Sequence, residues 1–165
     1  MALGLDFLGV WLVSSLLGSS KSGIQIMQIL VFVIAWLVLR VIVVYNNQGQ
    51  SLGRWAFDLK VLEVEGEQVV GRIPMLLVLL KREAIVGVGA LLVSLTLSNI
   101  SVNPTAILLV LPLAIDCGAA FYDTQMRQAL HDRYSGTIIV SSRRGYSLDI
   151  KIKRLVESMR RNVRR

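Results

Sequence analysis

Asp6, Arg40, Glu83 and Asp116 stand within or at the edges of runs otherwise made of Val, Leu, Ile, Ala and Gly. Ionisable groups in such surroundings are costly, so each needs a counter-charge or a purpose. A lone buried carboxylate escapes by taking up a proton, whereas an arginine keeps its charge and must pair or reach for the interface. Pairing Arg40 with Asp6 or with Asp116 answers both needs. One consequence is an ion-pair layer that fixes how helices pack. The other is a polar pocket in which a carboxylate trades its arginine for a proton, a small cation or a ligand group, with Asp6, Asp116, Arg40 and Glu83 as the candidate set.

A second concentration of polar chemistry is LHDRYSGT, residues 130–137, which holds the sole histidine. Asp132 and Thr137 there can satisfy backbone groups of a turn while Arg133 faces lipid phosphate. His131 with Asp132 and Asp123 could hold a cation weakly, but one histidine cannot build a zinc site. Cys117 is the single cysteine, which excludes an intramolecular disulfide and any multi-cysteine metal or redox motif. No phosphate-binding glycine loop is present, so no cofactor and no resident metal are expected. GQSLG at 49–53 fits G-x-S-x-G, and Asp123 and His131 could complete a Ser, Asp, His order. That motif needs a strand before it and a helix after it, whereas an apolar span precedes it here, and no enzyme activity is expected. Gly49 and Gly53 read instead as letting the backbone turn off the span, with Arg54 and Trp55 at headgroup depth.

The elements that must position these groups are apolar helices. Hydrophobic content is 54% and mean hydropathy +0.61 over 165 residues, too apolar for an ordinary soluble domain. Apolar segments run over 2–17, 24–45, 84–102 and 104–122, and they predict four transmembrane helices. Met1 to Gly18 contains Asp6 and no cation, so it reads as a retained span and not a signal peptide. Asn103-Pro104 is a helix start that implies a tight turn between the last two spans. Loop 46–83 carries Arg54, Lys60, Arg72, Lys81 and Arg82, while 18–23 and 99–103 carry one Lys and no cation. The positive-inside rule then places both termini in the cytoplasm, and Asp6, Arg40, Glu83 and Asp116 in the inner third of the bilayer, Asp6 about 8 Å deep.

LKVLEVEGEQVV, residues 59–70, alternates apolar and polar positions around Glu65-Gly66 and predicts a β-hairpin. GTIIVSS, 136–142, predicts a strand that pairs with it, making a small three-strand cytoplasmic cap. The apolar stretch Pro74 to Leu80 meets Lys81-Arg82-Glu83 and is expected to lie in the interface before the third span. Net charge is +7, and eleven of the 18 Lys and Arg follow residue 126. From 147 to 165 apolar positions recur at helix spacing, with Lys151, Lys153, Arg154, Arg160 and Arg161 largely on other faces. That predicts a basic amphipathic helix, suited to anionic headgroups or a partner's groove. Interleaved aromatic residues are lacking, so nucleic acid is not an expected partner.

GQSLGRWAFDLKVLEVEGE after an apolar span, followed by LHDRYSGTIIV after the last one, resembles the RDD family of small multi-pass membrane proteins. The resemblance rests on a G-Q-[ST]-x-G-[KR] stretch carrying Gly49, Gly53 and Arg54, a V-x-x-x-x-G hairpin, and an H-D-x-x-[SA]-G-T stretch carrying His131, Asp132, Gly136 and Thr137. It covers most of 5–140, giving a membrane domain at 1–140 with the basic helix at 147–165 outside it. The family is named for an Arg and an Asp in its first span and a second Asp further on. Asp6 matches the first Asp, and Asp132 matches the second better than Asp116 does. No Arg precedes Asp6, so this member lacks it or the true start lies upstream. The resemblance implies transport of an unidentified ligand, with sodium/proton exchange the most specific hint.

Two readings follow. In one, the bundle transports a proton, small cation or other ligand through Asp6 and Asp116, with Arg40 as counter-charge, in a bacterial cytoplasmic (inner) or internal membrane. In the other it is a non-transporting accessory or assembly subunit of a larger membrane complex or homo-oligomer. The small interior and the lack of internal repeats favour the second.

Overall fold

The computed structural model describes residues 1–17, 26–66 and 68–142. The basic helix expected at 147–165 lies outside the described residues. Six helices and three strands follow in chain order: α1 (Ala2–Leu17), α2 (Ile26–Asn46), α3 (Leu52–Ala56), β1 (Leu59–Glu65), β2 (Gln68–Val69), α4 (Leu76–Asn99), α5 (Pro104–Tyr122), α6 (Leu130–Ser135) and β3 (Thr137–Ser141). By length and composition α2 and α5 can cross a membrane, while α1 is apolar but has 16 residues.

α4 departs from expectation at its start. Leu76 to Leu80 is not separate from the helix after it; with Lys81-Arg82-Glu83 it forms the first two turns of one 24-residue helix. Lys81-Arg82-Glu83 breaks the apolar pattern without breaking the helix, because Arg82 and Glu83 are fully buried against opposite charges while Lys81 faces outward. All three residues are also good helix formers.

The helices pack in levels. Val10 of α1, Phe32 and Trp36 of α2, and Val86 and Ala90 of α4 form one apolar cluster. Val41, Val44, Val61 and Leu79 form another. Moving up α2 and down α4, the chain passes from the first cluster to the second, with Arg40 and Arg82-Glu83 between them. Inside the first, Phe7 meets Phe32 edge-on at 6.2 Å and Phe32 stacks on Trp36 at 5.7 Å. Trp36 Nε1 donates to the backbone oxygen of Glu83 at 3.3 Å, and a Cβ on Gly87 would lie 2.9 Å from that nitrogen. The glycine thus lets α4 approach the indole closely.

Residues four apart on α2, namely Gln28, Phe32, Trp36, Arg40 and Val44, are all buried. An ideal α-helix would rotate each of these about 40° past the previous one. From Val38 to Ile42 the helix instead adopts wider π turns, which offset the drift and keep Arg40 and Val44 on the buried face.

The cap is a three-stranded antiparallel sheet of order β2-β1-β3, with Val64 opposite Val69 and Val61 opposite Ile139. Gly66, at φ +63°, opens the hairpin turn as its sequence position predicts. Val61 buries its side chain against α2 and α4, so the sheet rests directly on the helices. Asn103 caps the start of α5 by accepting from Thr105 N at 3.2 Å. Gly118 has nothing within 4 Å of where a Cβ would stand, so no close helix approach occurs there.

Gly53 does not serve a sharp turn; its α3 backbone lies against α1, where an added Cβ would collide with the Ala2 carbonyl oxygen. Gly53→Ala should therefore destabilise the protein by about 1–3 kcal/mol through overpacking. Gly118→Ala, filling open space on a helix, should be neutral or stabilising by up to about 1 kcal/mol. Chemical denaturation in detergent compares the two, and equal effects would refute the close packing of α1 on α3.

Candidate functional site: a buried charge network

Between the two apolar clusters lies one connected set of charges. Arg40 reaches from α2 with Nη1 2.6 Å from Asp6 Oδ2 on α1, and with Nε and Nη2 2.9 and 3.2 Å from the two Glu83 oxygens on α4. That is a fork on Glu83 with a third bond to Asp6, a geometry lysine could not reproduce. The Arg40 guanidinium also lies 5.3 Å from the Trp36 ring centre. Arg54 of α3 donates to Glu83 Oε1 at 2.9 Å, and Arg82 Nη1 binds the same oxygen. Three guanidiniums therefore surround one carboxylate.

Arg82 continues the network. Its Nε donates to Asp132 Oδ1 at 2.8 Å, and its Nη2 lies 3.1 Å from His131 Nε2. On its other edge, His131 Nδ1 is 2.5 Å from Asp116 Oδ2, and its backbone N–H donates to Asp116 Oδ1 at 2.8 Å. The network thus touches every helix described: Asp6 on α1, Arg40 on α2, Arg54 on α3, Arg82 and Glu83 on α4, Asp116 on α5, and His131 and Asp132 on α6. All eight side chains belong to buried residues.

The carboxylates at the two ends are fully engaged. Asp6 Oδ1 accepts from Gly53 N at 2.6 Å, and Oδ2 accepts from Ser51 Oγ at 2.6 Å as well as from Arg40. Ser51 Oγ is also the cap of α3, accepting from Arg54 N at 3.2 Å. The serine of GQSLG is thus committed to Asp6 and a helix end. Gly49, at φ +83°, lies against β1, where a Cβ would meet Val61 O at 2.6 Å. Gly136, at φ +63°, ends α6 and lets the chain turn into β3.

Several sequence expectations change here. Arg40 pairs with Asp6 and Glu83, while Asp116 pairs with His131. Arg54 turns into the protein instead of toward lipid: it is 1% exposed and bound to Glu83. Asp132 does not serve turn backbone: its Oδ1 accepts from Arg82 and from Thr137 Oγ1, the latter at 3.1 Å. Asp123 stays outside any cluster with His131, accepting from the backbone N–H groups of Gln125, Met126 and Gln128. Among the described residues no group of His, Cys, Asp or Glu is arranged to hold a metal ion. Arg82 was missed because it follows Lys81 in what looks like a solvated charge run.

The His131 tautomer follows from its neighbours. A guanidinium can only donate, so Nε2 must offer its lone pair to Arg82 and the ring proton must sit on Nδ1, toward Asp116. Burial, then Arg82, accordingly holds the His131 pKa below its ordinary value, and the short Asp116 contact does not reverse this. Burial, reinforced by Arg40 and Arg82, lowers the Arg54 pKa to about 9, which still leaves it charged at neutral pH. For Asp132 burial acts upward, but the Arg82 guanidinium outweighs it and keeps the carboxyl below its usual range. With His131 neutral, four carboxylates face three guanidiniums.

Glu83→Gln should be the most damaging conservative change in the chain, because it strands Arg40, Arg54 and Arg82 without their shared anion. The expected loss is about 3–5 kcal/mol, read by denaturation in detergent. A loss below about 1 kcal/mol would show that Glu83 does not hold the network together. For His131 the folded pKa lies below the unfolded one, so its contribution is fully present above about pH 6.5. It is lost as pH falls from there through the folded value, with a slope of at most about 1.4 kcal/mol per pH unit. His131→Gln should flatten unfolding stability between about pH 7 and 5 relative to the parent chain. An unchanged slope would remove His131 as the titrating group.

The RDD family model matches residues 1–136. No curated protein and no solved structure matches the chain. The matched segment contains Asp6, Arg54, His131 and Asp132, four positions that the charge network joins in space. This chain belongs to the RDD family.

Proposed function

We propose that the chain is a non-transporting accessory or assembly subunit of a membrane complex, its helices clamped together by the buried charge network. The observation that carries this reading is the state of Asp6 and Asp116, the two carboxylates that transport would require to be exchangeable. Both are buried, and every one of their oxygens accepts from a donor of the chain itself. A cation arriving at Asp6 would have to displace Arg40, Ser51 and the Gly53 amide together. Buried ion networks are better at specifying one packing than at adding stability, which is the property a rigid docking module needs.

In this reading α1, α2, α4 and α5 all span the membrane, with both termini and the sheet on the cytoplasmic side of a bacterial inner or internal membrane. The basic segment at 147–165 grips anionic headgroups or the partner. α5 offers a surface for the partner, since Ile107, Leu108, Leu111 and Ile115 are more than half exposed along one helix.

One observation favours the transport reading instead. His131, in contact with Asp116, borders an open depression, so a proton could enter the network from that side. Two measurements separate the readings. Mild-detergent purification should recover the chain with a stoichiometric membrane partner, and proteoliposomes of the chain alone should show no proton or sodium flux. Flux that Asp116→Asn abolishes would overturn the assembly reading.

A further inference from the structure

We propose that the cleft between α4 and α6 is a binding site for the phosphate headgroup of an anionic phospholipid. An open depression of about 470 Å³ is lined there by Ile85, Leu130, His131, Arg133 and Tyr134. Its rim carries two cations. Lys81, one turn before Ile85 on the same face of α4, holds its Nζ 4.1 Å from the centre of the Tyr134 ring. Tyr134 follows Arg133 in the chain, and this contact brings the Lys81 ammonium beside the arginine's helix.

Arg133 is only loosely paired. Its side chain is 60% exposed, and its nearest carboxylate, Asp123, stands 3.7 Å away. Asp123 spends its oxygens on three backbone N–H groups, so it competes weakly for the guanidinium. Arg40, Arg54 and Arg82 bind carboxylates at 2.9 Å or closer and are buried, so they cannot serve.

The floor matches the other end of such a molecule. Ile85, Leu130 and Tyr134 are exposed apolar or aromatic surfaces beside the cations, and Val88, one turn further along α4, continues the stripe at 62% exposure. Two cations above an apolar track fit a phosphodiester with acyl chains, which a free anion would leave uncovered. The inference needs the membrane environment but neither reading of the protein's activity.

The test uses the full chain, so that the basic segment at 147–165 contributes equally to every sample. Protein is exchanged into micelles holding equal amounts of phosphatidylglycerol and phosphatidylcholine, and retained lipid is counted by native mass spectrometry. The parent should retain phosphatidylglycerol preferentially. Lys81→Ala and Arg133→Ala should each lower that preference about five-fold. Lys60→Ala, a cation by the sheet, should leave it unchanged. Both variants alter exposed side chains, and circular dichroism confirms their folding. Equal retention of the two lipids by the parent, equal effects of all three variants, or displacement of phosphatidylglycerol by inorganic phosphate would each overturn the proposal.

Discussion

Glu83 is the group on which the rest of the structure depends. Alone, an ionised carboxylate at that depth would be prohibitively costly, and the same holds for each of the three arginines around it. Together they offset one another's charge, although Arg54 Nε and Nη1 stay buried without a hydrogen-bond partner among the described residues. They do so only when α2, α3 and α4 stand in one arrangement: Arg40 needs both Glu83 oxygens and Arg54 needs Oε1. Apolar packing in a bilayer cannot supply this selectivity, because lipid chains are as greasy as Leu and Val. The charge layer therefore decides which helix faces meet, while the clusters around Phe32 and Val44 fill the space above and below it.

The network also explains why short, polar elements follow long apolar ones. α3 has only five residues, too few for independent stability, yet it delivers three groups to one point. Ser51 and the Gly53 amide bind Asp6, and Arg54 binds Glu83. α6 does the same with His131 and Asp132. Each short helix is held by the charges it presents, and the sheet between them keeps both in place.

Much of this was legible in the residues. A charge in an apolar run announces its own cost, so Asp6, Arg40, Glu83 and Asp116 stood out, and an Arg40 to Asp6 bond is what elementary electrostatics asks for. Period-two alternation around Gly66 gave the hairpin, and the β-branched run after Gly136 gave its partner. What stayed hidden has a common cause. Arg54 and Arg82 lie in stretches whose local pattern is that of solvated loop or interface, and only contacts across 29 and 50 residues reveal that they are buried. The π turns at Val38–Ile42 likewise answer a demand set by α1 and α4, not by any signal in their own residues. Gly53 is informative only once Ala2 and Asp6 are known to lie against it.

The bonds of Asp6 bear on how the protein is made. Ribosomes release a chain from its N-terminus, so this acid emerges before Arg40, Ser51 and Gly53 exist. Until Arg40 has been translated, Asp6 on α1 has none of the three ligands that hold it in the folded protein. Its final seating is therefore a late event in biogenesis, completed by segments translated after it.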